Sequence, residues 1–178
     1  AFGTSGIANV LTSDALNVTG AEGIAYAGGA LYVSHNQSTV DDETPGERYL
    51  LKFNATTGAA GTRCGWLNFN GPWDQKLESL TGNGGDLIYA QSTTSDQRMY
   101  VYDVSSNCSR QDDRQPNYSK PHALGYKSDL VYAVSEAGAI TTATSGSFQD
   151  QNTSVGTVTG FTSAAPGGFL IDSNGVMY

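Results

Sequence analysis

One pattern recurs four times along the chain and limits what the chain can fold into. In each copy a short apolar run meets a Gly-rich or polar turn and continues into a β-rich run that contains Tyr. The copies are AEGIAYAGGALYVS from Ala21, LESLTGNGGDLIYA from Leu77, PHALGYKSDLVYAV from Pro121 and GGFLIDSNGVMY from Gly167. Repeats of roughly 45 residues predict stacked supersecondary units, none of which can bury its apolar face alone.

Further strands follow the repeated motif. Two copies continue into runs that alternate apolar and polar positions before a turn, RYLLKFNATTG from Arg48 and RMYVYDVSSN from Arg98, and such alternation predicts a strand. GTRCGWLNFN from Gly61 and VGTVTGFT from Val155 are predicted to be the outermost strands of the first and third units. The positions taken as equivalent between units are Leu31, Leu87, Leu130 and Val176. No segment has a convincing helical apolar stripe, so we expect minimal helix.

These residues resemble the blades of β-propellers of the NHL, gluconolactonase and esterase-like type. Such blades commonly read [E/x]-G-[IL]-A-x-x-x-G-x-L-Y-V followed by R-[IL]-x-x-[FY]-[DN]-x-x-[ST]-G, which AEGIAYAGGALYVS and YLLKFNATTG fit closely. The resemblance implies an all-β, propeller-type repeat of four-stranded antiparallel blades, with about three complete blades plus partial ones. It specifies the blade and not an activity.

We predict one propeller-like domain over residues 1–178. Its units lie at about 21–75, 76–119 and 120–163, with a partial unit at 164–178 and residues 1–20 as outer strands of another blade or of the same one. This count favours a piece of a larger propeller over a four-bladed ring that is closed by its two ends.

Composition narrows the class of partner. Charged residues make up 15% of the chain and its net charge is −8, and no Lys/Arg patch is present to bind phosphate, which argues against nucleic acid and anionic membranes. No apolar stretch is long enough to span a bilayer. The first ten residues lack the layout of a signal peptide, so a secreted protein would have lost its leader already.

Six N-x-[ST] triplets are the strongest local signal for a compartment. They begin at Asn17, Asn36, Asn54, Asn107, Asn117 and Asn152, whereas chance would give about two in a chain of this Ser/Thr content. The excess predicts N-glycosylation in a secretory pathway. The alternative is that a Ser/Thr/Asn-rich β protein collects such triplets at its turns, and at Asn107 a disulfide through Cys108 would hinder glycan transfer.

Cys64 and Cys108 are the chain's two cysteines. Their separation matches no metal-ligand spacing, and the sequons favour an oxidising compartment, where disulfides persist. We therefore predict a Cys64–Cys108 disulfide, with two buried thiols as the alternative.

Candidate metal ligands come from the resemblance. Gluconolactonases use a Glu in an E-G-x motif on an inner strand, a position that Glu22 matches and that Glu78 occupies in the next unit. Asn36, Asp129 and Asp172 are conceivable further ligands. The favoured interpretation is that both glutamates bond backbone groups around a central channel.

Other chemistry-bearing residues support no catalytic site. His35 and His122 have no second His or Cys at ligand spacing, and no G-x-S-x-G motif occurs. The acidic loop STVDDETPGER from Ser38 could attract calcium, but it lacks the D-x-[DN]-x-[DN]-G order and is interpreted as a solvated turn. Asp112 and Asp113 are interpreted as part of a surface loop. We predict no catalytic residue and no cofactor.

The segment GWLNFNGPWDQK from Gly65 concentrates aromatic side chains in a turn-rich stretch. Trp66, Phe69 and Trp73 could stack on sugar rings or anchor a partner protein, although packing between blades is favoured. We predict an extracellular or cell-surface glycoprotein that serves as a structural or adhesive subunit of a coat, matrix or fibre, through protein partners or self-assembly. The alternative is a metal-dependent propeller hydrolase acting on lactones or esters.

Overall fold

Strands dominate the part of the chain that the structure describes. The computed structural model describes residues 23–36, 48–66, 77–92, 99–114, 121–135, 137–147, 153–158, 169, 171 and 174–177. Within these ranges helix is limited to two single 3-10 turns, Val104–Ser106 and Ser145–Ser147. The prediction of minimal helix is therefore confirmed for the described residues.

The strands form three antiparallel sheets, each with its strands in chain order. Sheet I contains β1 (Ile24–Ala27), β2 (Ala30–Asn36), β3 (Arg48–Asn54) and β4 (Ala60–Trp66). Sheet II contains β5 (Leu77–Gly82), β6 (Leu87–Ser92), β7 (Met99–Asp103) and β8 (Ser109–Arg114). Sheet III contains β9 (Pro121–Lys127), β10 (Leu130–Ser135), β11 (Ala139–Thr144) and β12 (Thr153–Thr157). This confirms the predicted all-β repeat of four-stranded antiparallel blades, and each sheet lies within one predicted unit.

The first strands of the three sheets lie side by side, with β5 in contact with both β1 and β9. Successive side chains on a strand point to opposite faces of its sheet. We call the face turned toward the next sheet in the chain the forward face and the opposite one the backward face. Both faces carry buried apolar residues, which explains why strands such as MYVYD in β7 are buried almost throughout.

Three apolar contacts join successive units. The forward face of sheet I meets the backward face of sheet II in a cluster that includes Tyr32, Leu50, Leu80, Ile88 and Tyr100. The forward face of sheet II meets sheet III through Tyr89, Met99, Val101, Leu124, Val131 and Ala133. The forward face of sheet III, with Ala123, Val134 and Ile140, is covered by Phe169 and Met177. Each fully buried aliphatic or aromatic side chain stabilises this stacking by about 1.5–3 kcal/mol.

The C-terminal residues form a further hairpin, in which Ile171 pairs antiparallel with Met177. A β-carbon on Gly125 of β9 would lie 2.7 Å from the Phe169 ring, so this hairpin packs closely on the first strand of sheet III. Phe169 and Met177 pack on the forward face of sheet III, and the partial unit at 164–178 stays a prediction.

Strand pairing corrects the sequence alignment of the units by one residue. The equivalent pairs are Ala30 with Asn54, Leu87 with Asp103 and Leu130 with Thr144. Leu31 is therefore equivalent to Ile88 and Val131, and not to Leu87 and Leu130. The β1–β2 turn consists of Gly28 and Gly29 alone, whereas β5 and β6 are joined by a longer turn of residues 83–86.

Close backbone contact fixes the spacing of sheets I and II. A β-carbon on Gly82 of β5 would collide with the Tyr26 carbonyl oxygen of β1. The Gly28 N–H also donates to the Gly85 carbonyl, with 2.6 Å between the atoms. At Gly82 only glycine fits, because any side chain would push these two strands apart.

Candidate functional site

A polar cluster lies where sheets II and III meet. Tyr89 of β6 is 1% exposed, and its ring stacks on that of Tyr126 of β9, with the ring centroids 5.7 Å apart and the planes 9° apart. The Tyr89 side chain also shares a hydrogen bond with Ser145, which follows β11. The cluster therefore joins one strand of sheet II to two segments of sheet III.

The β9–β10 turn supplies the carboxylate of this cluster. Ser128 and Asp129 have φ angles of 51° and 63°, a left-handed conformation that is unfavourable outside glycine, Asn and Asp. Gly28 and Gly29 occupy the same turn in sheet I. Asp129 is held in place because its Oδ1 accepts a hydrogen bond from Ser145 Oγ, while its carbonyl accepts one from the Ser145 N–H at 3.0 Å.

Burial determines the protonation of the two phenols. Burial raises the pKa of Tyr89 above its usual value of 10.0, and the hydrogen bond with Ser145 lowers it by less. Burial also raises the pKa of Tyr126, and the nearby Asp129 carboxylate adds to the shift. Both hydroxyls therefore stay protonated at neutral pH, and the Tyr126 hydroxyl lies 3.5 Å from Asp129 Oδ1 as a donor.

The forward face of β6 also carries a buried amide. Gln91 is 0% exposed, and neither its Oε1 nor its Nε2 has a hydrogen-bond partner among the described residues. A buried unpaired polar group costs about 1–3 kcal/mol. On β5, Ser79 pairs with Gln91, and its Oγ accepts a hydrogen bond from the Leu124 N–H at 2.8 Å.

The predicted metal ligands are not brought together among the described residues. Glu22, Asp172 and most of the acidic loop 38–48 lie outside those residues, and Glu78 is half-buried on β5. Asn36 ends β2, but its side chain is not described. Asp129 belongs to the tyrosine cluster, where Ser145 holds it. In the described ranges no three His, Cys, Asp or Glu residues are grouped as a metal site requires, so Glu22 and Glu78 remain predictions.

The two histidines lie in strands and not in turns. His35 is 1% exposed in β2, because its strand position packs it inside the sheet. His122 belongs to β9, although its side chain is not described. Asp112 and Asp113 lie in β8 and not in a loop, because they pair with Val101 and Tyr100 of β7.

Asn54 is the best-described sequon. It is exposed at the end of β3, and its Oδ1 accepts hydrogen bonds from the backbone N–H groups of Thr56 and Thr57 at 2.8 and 2.9 Å. Both bonds use Oδ1, whereas a glycan joins the other side-chain atom, Nδ2. Asp103 caps the equivalent turn in sheet II by accepting from the Ser105 N–H at 2.9 Å, so turn chemistry alone also favours an Asn at this position.

Asn107 lies at the same end of the neighbouring sheet. It is exposed and has a left-handed φ of 54°. Cys108, the next residue, has the same φ angle. Cys108 is 2% exposed and forms a disulfide with Cys64 of β4, with 5.3 Å between the Cα atoms. The predicted disulfide is therefore present, and it joins the outer part of sheet I to the outer part of sheet II.

The other predicted sites lie largely outside the described residues. Asn17, Asn117, Asn152, Phe69 and Trp73 are in this group. Trp66 ends β4, but its side chain is not described, so the aromatic binding surface remains a prediction. The Tyr89–Asp129–Ser145 cluster had no sequence motif to reveal it, because its members come from separate strands and turns.

Comparisons with known proteins establish the fold and no more. A chain of the crystal structure of the mitotic checkpoint complex is similar, with a TM-score of 0.53 and 16% identity over 85% of this chain and 42% of that chain. The computationally designed Ika4 protein gives a TM-score of 0.48 and 9% identity over 90% of this chain and 89% of its own. No protein-family model matches the chain, and no curated protein matches it in sequence.

Among the described residues, no helix has the length and apolarity that crossing a bilayer requires.

Proposed function

We propose that this chain is an N-glycosylated extracellular module with a structural or adhesive role in a coat, matrix or fibre, built from propeller blades of the NHL, gluconolactonase and esterase-like type. The observation that carries the proposal is the Cys64–Cys108 disulfide between neighbouring sheets. Disulfides of this kind persist in oxidising compartments. There a bond between blades would keep an exposed structural protein folded.

The sequons support the same compartment. Asn54 and Asn107 are both exposed and lie on turns at the same end of sheets I and II. Glycans at this end would leave the opposite end and the outer strands available to partners. The surface is poor in charge, with 15% charged residues, which suits a glycan-covered protein better than one that binds polyanions.

Glycan mapping after expression in a secreting eukaryotic cell tests the proposal. We expect peptide-N-glycosidase to release glycans and to convert Asn54 to Asp, which peptide mass spectrometry detects. Asn54→Asp should lose that glycan and keep the turn, because a carboxylate oxygen replaces Oδ1 as the acceptor, as Asp103 does in sheet II. Secretion of a protein without glycans at any of the six sequons would contradict the proposal.

A metal-dependent hydrolase is the competing function, and measurements of metal binding and lactone hydrolysis distinguish it from the structural role. Calcium binding by calorimetry together with hydrolysis of a simple lactone, both lost in Glu22→Gln, would replace the structural role with an enzymatic one. Glu78→Gln is the matched variant, because Glu78 occupies the equivalent position on β5. We expect neither binding nor turnover in the unmodified chain.

A further inference from the structure

The disulfide between sheets I and II passes through the middle of the Asn107 sequon. Cys108, the second residue of this triplet, is 2% exposed and bonded to Cys64 of β4. Asn107 and Cys108 both have a left-handed φ of 54°, a conformation that is unfavourable for Cys. The bridge and the burial of Cys108 therefore hold the backbone of this sequon in a bent conformation.

The third residue of the same sequon is also held by other contacts. Ser109 begins β8 and pairs with Asp103 of β7. Ser109 Oγ accepts a hydrogen bond from Gln111 Nε2 at 2.6 Å. A glycan acceptor requires a hydroxyl residue at this third position, so a transferase must reach the whole triplet. In the bridged fold, reaching it would require β8 to leave β7 and Cys108 to leave the interior.

The Asn54 sequon at the same end of sheet I differs in each respect. Its middle residue is Ala55, so no bridge can pass through it. Asn54 and Thr56 are both exposed, and the Thr56 N–H donates to Asn54 Oδ1 at 2.8 Å. Asn54 and Thr56 thus form a local turn, in which the asparagine side chain bonds the backbone two residues later. Folding restrains the Asn107 sequon far more than this one.

We propose that Asn107 accepts a glycan only before the Cys64–Cys108 bridge closes, so that glycan transfer and bridge closure compete while the chain folds. This inference rests on the proposed N-glycosylation and names how that modification is regulated at one sequon. A glycan that arrives first is compatible with later closure, because Asn107 is exposed in the bridged fold. The reverse order is blocked, because the bridged triplet cannot straighten into an enzyme groove.

The two competing steps draw on different reactants. In glycan transfer, Asn107 Nδ2 attacks the anomeric carbon of an oligosaccharide carried on a lipid pyrophosphate. The bond between that carbon and the pyrophosphate oxygen breaks, the lipid pyrophosphate leaves with the bonding electrons, and Nδ2 loses a proton. In bridge closure, the Cys64 and Cys108 thiols lose two electrons and two protons to the disulfide of an oxidoreductase, which becomes a dithiol. The redox state of the compartment therefore biases which step comes first.

Cys64→Ser separates the two steps, because it removes the bridge and keeps the Asn107 triplet unchanged. The full chain is expressed in a secreting eukaryotic cell. The occupied fraction of each sequon is measured in the secreted and retained protein together, by peptide-N-glycosidase treatment and peptide mass spectrometry. We expect a several-fold higher occupied fraction at Asn107 in Cys64→Ser than in the wild type, with no change at Asn54. Cys108→Ser, which also removes the bridge and keeps a sequon, should give the same rise.

Val134→Ala is the matched control for slower folding. Val134 is 2% exposed in the apolar cluster on the forward face of sheet III, so its truncation destabilises the fold without touching the bridge. The occupied fraction at Asn107 should stay at the wild-type level in this variant. A rise equal to that in Cys64→Ser would mean that slow folding controls the transfer, and it would overturn the inference.

The remaining outcomes separate this inference from the proposed function. Equal occupancy of Asn107 in the wild type and Cys64→Ser, with a glycan at Asn54, would overturn the inference and leave the proposed function standing. The same holds where Asn107 carries no glycan in either bridge-free variant while Asn54 does. Protein without glycans at any of the six sequons, in the wild type and in both bridge-free variants, would overturn both.

Discussion

At the scale of single residues, Tyr89 illustrates how polar groups are kept inside an apolar contact. Its ring packs with Met99 and Val101 while its hydroxyl group bonds Ser145. Ser145 in turn holds Asp129 in a left-handed turn. The cost of that backbone conformation is offset by hydrogen bonds from another segment, so the turn and the tyrosine depend on each other.

Tyr89 should make the protein sensitive to alkaline pH. Burial raises its pKa in the folded state above the usual 10.0, so its contribution to stability is complete below about pH 10 and is lost as pH rises through the folded-state pKa. We expect the unfolding temperature to fall less steeply above about pH 10 in Tyr89→Phe than in the wild type. Tyr26→Phe, which removes the hydroxyl of an exposed tyrosine, is the matched control. Equal slopes in Tyr89→Phe and wild type would contradict this account.

Replacing Gln91 should stabilise the protein. Its buried amide has no partner among the described residues, and Met has a similar length without the polar atoms. We expect Gln91→Met to raise the free energy of unfolding by about 1–3 kcal/mol, measured by urea denaturation. Gln111→Met is the control, because Gln111 is exposed and donates to Ser109 Oγ at 2.6 Å. A less stable Gln91→Met variant would mean that the amide is paired in solution.

At the scale of strands, the first strand of each sheet carries the contact with its neighbours. β5 lies between β1 and β9, and small residues at Gly23, Gly82 and Gly125 permit the close approach. Outer strands are more exposed, as β12 shows, where four of the five residues are exposed. We therefore expect substitutions to cost most on the first strands and least on the outermost ones.

Gly82→Ala tests this gradient. The added methyl group would collide with the Tyr26 carbonyl, a backbone atom that has no room to rotate away. We expect a loss of about 1–3 kcal/mol in the free energy of unfolding, measured by urea denaturation. Gly156→Ala on β12 meets no atom within 4 Å of its new methyl group and should be nearly neutral. Similar stabilities of the two variants would mean that the strands are farther apart than described.

At the scale of the whole molecule, the repeat could be predicted because each unit carries its own strand and turn signals. LYVS, LIYA and LVYA mark the second strands, and all three are found as β2, β6 and β10. The one-residue misalignment arose because four residues separate the paired Tyr26 and Leu31, whereas five separate the equivalent pair, Gly82 and Ile88. The Tyr89–Asp129–Ser145 cluster depends on the packing of two sheets, which no local pattern encodes.

The disulfide is the strongest connection between units, and its removal should be costly. A bridge across the 44-residue separation of Cys64 and Cys108 restricts the unfolded chain and should stabilise the fold by about 3–4 kcal/mol. We expect the double variant Cys64→Ala/Cys108→Ala to lose roughly that amount in urea denaturation, as the wild type should after reduction. A reduced wild type of unchanged stability would contradict the prediction.

That bridge also decides how the chain would respond to tension. A pull applied at the two termini passes directly from Cys64 to Cys108, so the intervening segment, which contains β5, β6 and β7, carries no load and cannot lengthen. Sheet III has no such shortcut among its described residues. Under tension the strands outside the bridge, which are β1 to β3, β8 and those of sheet III, would therefore take up the extension, while β5, β6 and β7 keep their pairing.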